Sequence, residues 1–314
     1  KVIFTLILME KNMTHYSSEN FYDILLRRFK RILFFKLTKK SPPLFLRGKD
    51  IISYASLVEG VHEESITNMI KYYAKNDLSD FFIDVGANIG LTSCQNGPDF
   101  KRVVCFEPNP LCVNILKTNL VISLTKGKFL INEFGLGDSD GNFDLFIPRH
   151  NWGGAFVRSN ANSYTDDVLA SKDGFSKIDL ENYIVEQVEV KQAKEVFLEL
   201  FSSLKKDDFK KGVIKIDVEG FESVVLEGIG KAIPSEMSAM IVFENWDSKF
   251  NFAEIRNHFS DRQIKLKKLE CSILDSKMSK FVKKLSLLFR ADKSHLVSID
   301  DATSTTGNIV IEVF

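Results

Sequence analysis

The sequence predicts an α/β protein with a doubly wound parallel sheet, preceded by a helical extension. From about residue 78 onward, short apolar runs alternate with segments of helical spacing, a pattern typical of βαβ units. A turn with glycines at Gly86 and Gly90 directly follows the first apolar run. The 314 residues, 44% of them hydrophobic, suffice for one sizeable core and an appendage. We therefore divide the chain into a helical extension, residues 1–77, and a sheet domain, residues 78–314.

The predicted strands are the apolar runs that are bounded by turn residues. They are Phe81–Val85, Arg102–Phe106, Lys128–Ile131, Gly212–Asp217, Met240–Phe243 and Asn308–Phe314. A helix is predicted to begin after Asn109, because asparagine is a good N-cap and Pro110 suits the first helical position. Another is predicted over residues 63–77, and a hairpin around Asp140 and Gly141. We expect the last strand to be inserted into the sheet.

Charge and cysteine usage narrow the class of protein. Lysine plus arginine and aspartate plus glutamate number 42 each, which disfavours a general nucleic-acid binder. The four cysteines form no C-x-x-C pair and predict reduced thiols. The apolar run Val2–Leu8 is too short to span a membrane and lacks a cleavage site after it. These features together predict a cytoplasmic protein.

Two basic amphipathic stretches, residues 21–40 and 278–293, leave two interpretations open. Between Ile24 and Lys40 there are seven lysines or arginines and no acid, with apolar residues at helical spacing. Such a helix can lie on an anionic membrane, here the inner face of the cytoplasmic membrane. It can equally pack on the core or on a second subunit of a homo-oligomer.

The first strand and its turn indicate a cofactor loop. In an open α/β sheet, ligands bind beyond the carboxyl ends of the strands. A dinucleotide site would require G-x-G-x-x-G, whereas residues 86–90 read G-A-N-I-G. A carboxylate at Asp84 would repel a pyrophosphate and suit the ammonium group of a methionine moiety. Glu107, at the end of the second strand, is placed to accept two ribose hydroxyls, a feature that both cofactor classes share.

At this point the sequence resembles a known family, the FkbM-type S-adenosylmethionine-dependent O-methyltransferases. The resemblance covers roughly residues 80–245 and is carried by FFIDVGANIGLTS, VVCFEPNP, GLGD, NWGG and VIKIDVEGFESVVLEGI. It implies a Rossmann-like class I methyltransferase fold, a seven-stranded doubly wound sheet whose last strand is antiparallel. The predicted cofactor-binding residues are Asp84, Gly86, Asn88, Gly90, Glu107, Pro108 and Asp138.

The resemblance also implies a class of acceptor. Family members often methylate hydroxyls of sugars or of polyketide-type products, and many bacterial members belong to surface-polysaccharide synthesis. We therefore expect a glycan or glycolipid acceptor, such as a lipopolysaccharide O-antigen with a terminal perosamine-like sugar. A small-molecule or polyketide-type natural product is the alternative acceptor.

A second group of acidic residues predicts a site for the acceptor and for Mg²⁺. Asp217 ends one strand, and Glu244 and Asn245 end its predicted neighbour. These oxygen ligands suit Mg²⁺, which would orient an acceptor hydroxyl and lower its pKa. The competing interpretation is that the carboxylates cap helices, bind the acceptor or pair with Lys215, two residues before Asp217 on the same strand face.

Without a metal, a general base must activate the hydroxyl. The candidates are Asp217, Glu219 and His150, with Lys215 as a partner. Trp152 offers a flat face for a sugar ring, and Gly153 and Glu222 are further predicted acceptor residues. The remaining histidines, His15, His62, His258 and His295, are interpreted as structural.

Three other functions compete with a methyltransferase that acts on hydroxyls. An NAD-dependent Rossmann oxidoreductase lacks its glycine motif here, and the intact loop disfavours a non-catalytic binding module. A methyltransferase of nucleic-acid bases would need an N/D-P-P-Y/F-type motif where this chain has Asp-Val-Glu-Gly.

Overall fold

A computed structural model describes residues 21–39, 41–48, 51–159, 162, 164–165, 168, 178–246, 250–272, 293–300 and 305–314. The described helices are α1 (Phe21–Leu37), α2 (Ile51–Glu59), α3 (Glu64–Lys75), α4 (Leu91–Asn96), α5 (Pro110–Ser123), α6 (Ala193–Lys206), α7 (Glu222–Ala232) and α8 (Phe252–His258). The described strands are β1 (Phe81–Val85), β2 (Arg102–Phe106), β3 (Phe129–Asn132), β4 (Gly135–Gly137), β5 (Gly141–Pro148), β6 (Phe156–Val157), β7 (Tyr183–Gln192), β8 (Lys211–Ile216), β9 (Ser238–Asn245), β10 (Ile264–Ser272), β11 (Lys293–Ser298) and β12 (Gly307–Val313).

The main sheet confirms the predicted α/β fold and adds one strand to it. Its order is β11-β10-β12-β9-β8-β1-β2-β3, and the five strands from β9 to β3 are mutually parallel. The late strand β12 is inserted antiparallel between β9 and β10, as its position in the sequence predicted. The sheet has eight strands rather than seven, because β11 pairs with the outer edge of β10. The KSHLVS segment of β11 contains no apolar run that would have revealed it.

Helices cover both faces of this sheet, so its central strands are buried on both sides. One face packs against α6, α7 and α8, with Phe197 and Ile229 fully buried. The other face packs against α3, α4 and α5. Helix α3 buries Ile66, Met69 and Ile70 there, so the last helix of the 1–77 segment is part of the sheet core.

A second, four-stranded sheet lies between β3 and β8 in the sequence. Its order is β4-β7-β5-β6, and most of it is the antiparallel pair of β5 with β7. Phe146 and Phe156 stack with their ring centroids 5.6 Å apart, and the edge of Tyr183 meets both rings. Only a hairpin at Asp140 and Gly141 was predicted here, because β5 and β7 are separated by more than thirty residues.

The segment before α3 runs across the sheet domain. Asn119 of α5 holds the backbone of Phe45, accepting from its N–H at 2.7 Å and donating to its carbonyl at 3.1 Å. Among the helices that the structure describes, none is both long and apolar enough to cross a membrane. Cys94, Cys105 and Cys112 are buried thiols outside any disulfide. The second basic stretch, residues 278–293, lies outside the described residues apart from Lys293.

Candidate active site

A cavity of about 270 Å³ opens at the carboxyl ends of the parallel strands. Its walls come from the turn after β1, the ends of β2, β8 and β9, the loop between β3 and β4, and the β5–β6 region of the second sheet. The turn that precedes α3 closes one end. This position is where open α/β sheets bind ligands.

The turn after β1 depends on glycine for its shape. Gly86 has a φ of +81°, a left-handed conformation that side chains disfavour. A Cβ atom on Gly86 would lie 2.8 Å from the Asp217 carbonyl carbon and closer still to its oxygen. Gly90, at φ +87°, caps α4 behind the cavity and does not line it. The turn therefore packs against the end of β8 without room for a side chain.

Glu107 lies at the centre of the cavity wall, as predicted. One carboxylate oxygen accepts the Asn88 N–H at 2.7 Å and the other accepts the Asn109 N–H at 2.8 Å. Burial nevertheless raises the pKa of Glu107 to about 7, because these two hydrogen bonds offset only part of the desolvation. Asn109 caps α5 by accepting the Leu111 N–H, which confirms the predicted helix start. The Glu107 carboxylate is thus buried and held in place by two hydrogen bonds, and its oxygens have further lone pairs that can accept hydrogen bonds.

Asp84 lies behind the turn rather than on the cavity wall. It is fully buried and accepts a hydrogen bond from the Ser93 hydroxyl at 2.5 Å. Its other carboxylate oxygen is buried with no hydrogen-bond partner. Burial raises the pKa of Asp84, although the Lys215 ammonium opposes the shift. Asp84 is absent from the residues that line the cavity, so the structure does not bring it to the predicted position.

Lys215 is a buried cation surrounded by carboxylates. Its Nζ lies 2.6 Å from Asp217 and 3.8 Å from Glu63, and Asp84 is its register partner on β1. Burial alone would lower the pKa of Lys215, but these three carboxylates outweigh it and raise the pKa above its ordinary value. The predicted proximity of Lys215 and Asp217 on one strand face is confirmed. Only 6% of the Lys215 side chain is exposed, so the ammonium depends on these partners.

The turn before α3 brings two residues to the cavity that we did not predict. His62 and Glu63 both line it, so His62, which was interpreted as structural, lies beside the candidate site. Gln95 of α4 anchors the turn by accepting the His62 N–H at 2.7 Å. Burial and the nearby Lys215 lower the pKa of His62 to about 4, so the imidazole is neutral near pH 7.

Glu63 is held in an unusual backbone conformation and faces the cavity. Its φ is +45°, uncommon for a residue with a side chain. Desolvation raises the pKa of Glu63 to about 7, although 34% of its side chain is exposed and Lys215 opposes the shift. In the sequence, Glu63 stood out only because it is next to another ionisable residue, His62, at a predicted helix start. That pattern did not indicate that Glu63 lies near β8.

The second sheet and its loops bring a tryptophan to the opposite wall. Trp152 and Gly153 line the cavity within the short 3₁₀ helix Trp152–Gly154. The Arg47 guanidinium lies 4.0 Å above the centroid of the Trp152 ring, and Asn109 donates to the Trp152 carbonyl at 3.2 Å. His150, two residues before the tryptophan, is exposed and does not line the cavity.

The placements of the other predicted residues fall into two groups. The cavity wall includes Asn88, Pro108, Asp138, Asp217, Glu219 and Glu244. Glu222 does not line the cavity: it is buried, and the Tyr164 hydroxyl lies 3.3 Å from its carboxylate. A contact between Glu222 and an acceptor is therefore not available in this structure.

The structure does not bring the three predicted Mg²⁺ ligands together. Successive residues of a strand point to opposite faces, so Glu244 and Asn245 cannot converge on one ion. Asn245 is buried away from the cavity and donates to the Thr305 carbonyl at 2.8 Å. Asp217 already pairs with the Lys215 ammonium. Within the described part of the chain, no group of three or more histidine, cysteine or acidic side chains is arranged to hold a metal ion.

Glu107, the glycine turn, Asp138 and Lys215 all line this one cavity. The sequence pattern for the methyltransferase FkbM domain matches residues 84–266, more than half of the chain. The protein belongs to the FkbM methyltransferase family.

The chain is also similar to individual methyltransferases. The chain is 26% identical over 216 residues to methyltransferase sdnD of Sordaria araneosa, covering 63% of this chain and 80% of that protein. The FkbM methyltransferase of Methylobacillus flagellatus KT aligns with 13% identity and a TM-score of 0.37, covering 91% of this chain and 59% of the other. The O-methyltransferase TomG of Streptomyces achromogenes aligns with 10% identity and a TM-score of 0.38, covering 90% and 94%. Membership of the FkbM family assigns S-adenosylmethionine as the methyl donor.

Proposed function

We propose that this FkbM methyltransferase transfers a methyl group to a sugar hydroxyl of a surface glycan, such as an O-antigen chain or its lipid-linked precursor. The observation that carries the proposal is the set of residues that line the cavity. Trp152 and the acidic residues Asp217, Glu219 and Glu63 all line it, and the Arg47 guanidinium lies over one face of the Trp152 ring. Aromatic faces suit the apolar face of a sugar ring, and carboxylates accept hydrogen bonds from its hydroxyls.

In this proposal, Asp217 is the general base and Lys215 is its positioning residue. Bound S-adenosylmethionine supplies an electrophilic methyl group on a sulfonium. As the sugar oxygen forms its bond to that methyl carbon, the carbon–sulfur bond breaks and S-adenosylhomocysteine leaves. The hydroxyl proton passes to the Asp217 carboxylate, 40% of whose side chain is exposed. The 2.6 Å contact with Lys215 fixes the orientation of this carboxylate.

Transfer of radiolabelled methyl groups from S-adenosylmethionine to extracted lipid-linked glycans tests the proposal. We expect the label in an O-methyl sugar after linkage analysis. Asp217→Asn should bind S-adenosylmethionine within about threefold of the wild type and lose about 100-fold in transfer rate, the usual contribution of a general base.

The matched control is Asp208→Asn, an acidic residue whose side chain is 83% exposed and which does not line the cavity. It should leave both binding and transfer unchanged. Label that is found on nitrogen, or in a product that contains no sugar, would refute the proposed acceptor. Full activity of Asp217→Asn would remove Asp217 from the mechanism.

Glu107 predicts a pH dependence of cofactor affinity. We propose that its carboxylate accepts the ribose hydroxyls, and those hydroxyls donate best to the ionised form. Since the pKa of Glu107 in the free protein is about 7, the carboxyl is protonated below that pH and binding must release the proton. Affinity for S-adenosylmethionine should therefore rise about tenfold between pH 6 and pH 8.

Titration calorimetry across that pH range measures the effect. In Glu107→Gln the affinity for S-adenosylmethionine should no longer rise with pH. Glu133→Gln is the control, because Glu133 is 53% exposed, pairs with Lys117 and lies outside the cavity. An affinity that is independent of pH in the wild type, or that falls as the pH rises, would contradict the role of Glu107.

A further inference from the structure

Helix α1 carries an unusual concentration of exposed apolar side chains. At least 42% of the surface of each of these residues is accessible, and Phe35 reaches 72%. The exposed set comprises Leu25, Leu26, Phe29, Ile32, Leu33, Phe34, Phe35 and Leu37. The hydrophobic clusters that can be traced through the described residues include no side chain of α1. A helix with this much uncovered apolar surface indicates a binding partner.

The apolar side chains are not evenly distributed around the helix. At 100° per residue, six of them fall within an arc of about 140°. They are Leu25, Leu26, Phe29, Ile32, Leu33 and Leu37. Exposed Arg28, Lys30 and Arg31 lie outside this arc. The helix therefore presents an apolar face flanked by basic side chains, the arrangement of helices that lie in a membrane interface.

The local charge is strongly positive in a chain that is neutral overall. The whole protein has 42 basic and 42 acidic residues, yet seven basic residues and no acid lie between Ile24 and Lys40. A protein partner with a hydrophobic groove would explain the apolar face alone. An anionic bilayer explains both the apolar face and the charge, because phosphate headgroups attract the basic side chains while the acyl chains receive the apolar ones.

We propose that α1 anchors this enzyme to the surface of an anionic phospholipid membrane. The apolar arc enters the headgroup–acyl boundary, and Arg28, Lys30 and Arg31 contact lipid phosphates. Lys36, which falls within the arc, reaches the headgroups through its long side chain. The anchor does not depend on which acceptor the enzyme methylates, but it would bring the active site to the surface where lipid-linked glycans are held.

Vesicle flotation tests this proposal on the full-length protein. We expect the wild type to float with phosphatidylcholine–phosphatidylglycerol vesicles at low salt and to remain at the bottom with phosphatidylcholine alone. The triple variant R28E/K30E/R31E should bind at least about 100-fold more weakly, since each basic residue near an anionic surface contributes about fivefold. F29S/L33S should also lose binding while keeping its charge.

The matched control is K75E/K126E/K206E, which makes the same change in net charge at three exposed lysines in other parts of the surface. It should float like the wild type. Thermal unfolding should be unchanged in both α1 variants, because the hydrophobic clusters of the described residues include no α1 side chain.

Three outcomes would overturn the proposal. One is failure of the wild type to bind anionic vesicles at low salt. Another is equal loss of binding in the control triple, which would indicate a general charge effect. The last is a wild-type dimer in light scattering that F29S/L33S converts to a monomer without any vesicle binding, which would assign the apolar face to a second copy of the chain.

Discussion

Gly86→Ala is expected to destabilise the protein by about 3 kcal/mol and to abolish binding of S-adenosylmethionine. Two costs add at this position. The left-handed φ of +81° disfavours any side chain, and the new Cβ would overlap the backbone carbonyl of Asp217. Backbone atoms at the end of β8 cannot move aside as a flexible side chain would. The turn must therefore change shape, and Asn88, whose N–H binds Glu107, moves with it.

Gly127→Ala separates the cost of the left-handed φ from the cost of the steric overlap. Gly127 has nearly the same φ, +84°, but a Cβ there would meet no atom within 4 Å. This variant should lose only about 1 kcal/mol and bind the cofactor normally. Chemical denaturation and titration calorimetry on both proteins measure the comparison. Equal losses of stability in the two variants would show that the close packing of Gly86 on Asp217 is unimportant.

Lys215→Met is expected to destabilise the protein by about 3–5 kcal/mol, the range found when one partner of a buried ion pair is removed. Methionine fills the volume of the lysine side chain but leaves Asp84 and Asp217 without their cation. Asp84 is fully buried, and one of its oxygens already has no hydrogen-bond partner. Its ionised form would have no compensation in the variant.

The loss of unfolding free energy caused by Lys215→Met should grow as the pH rises. Burial already raises the pKa values of Asp84 and Glu63, and loss of the ammonium, which opposes both shifts, should raise them further above their unfolded values. Such groups favour the folded state only while they are protonated, so stability is lost as the pH rises through the folded-state pKa. Urea denaturation at about pH 5 and about pH 8 measures the difference.

The control for this variant is Lys231→Met, which removes an exposed pair with Glu227 one helical turn away. It should cost at most about 0.5 kcal/mol at either pH. A Lys215→Met protein that is as stable as this control would show that the buried carboxylates do not need the ammonium.

Patterns among neighbouring residues of the sequence predicted much of the fold. The strand before Gly86, the helix start at Asn109 and Pro110, and the inserted final strand were all readable, because each depends on residues that are adjacent in the sequence. The pairing of β5 with β7 could not be predicted, since the two strands come from segments more than thirty residues apart. The outer strand β11 was missed because its KSHLVS segment contains no apolar run.

The candidate site was predicted less completely than the fold. Glu107, Asp217 and Trp152 reach the cavity because strand ends and their loops converge there. Asn245 was wrongly grouped with Glu244, since the grouping ignored the alternation of a strand. Glu63 could not be assigned from sequence, because its proximity to Lys215 arises only when α3 packs on the sheet.

The insertion of β12 between β9 and β10 affects how the chain folds as it leaves the ribosome. About 60 residues separate β9 from β12, so β9 emerges roughly 3 to 12 seconds before its partner at ordinary rates of translation. Until then its apolar residues Ile241 and Phe243 form an open sheet edge, which can pair with another nascent chain. Expression at low temperature or with a chaperone that shields such edges should therefore improve the soluble yield more than any change to the surface of the finished protein.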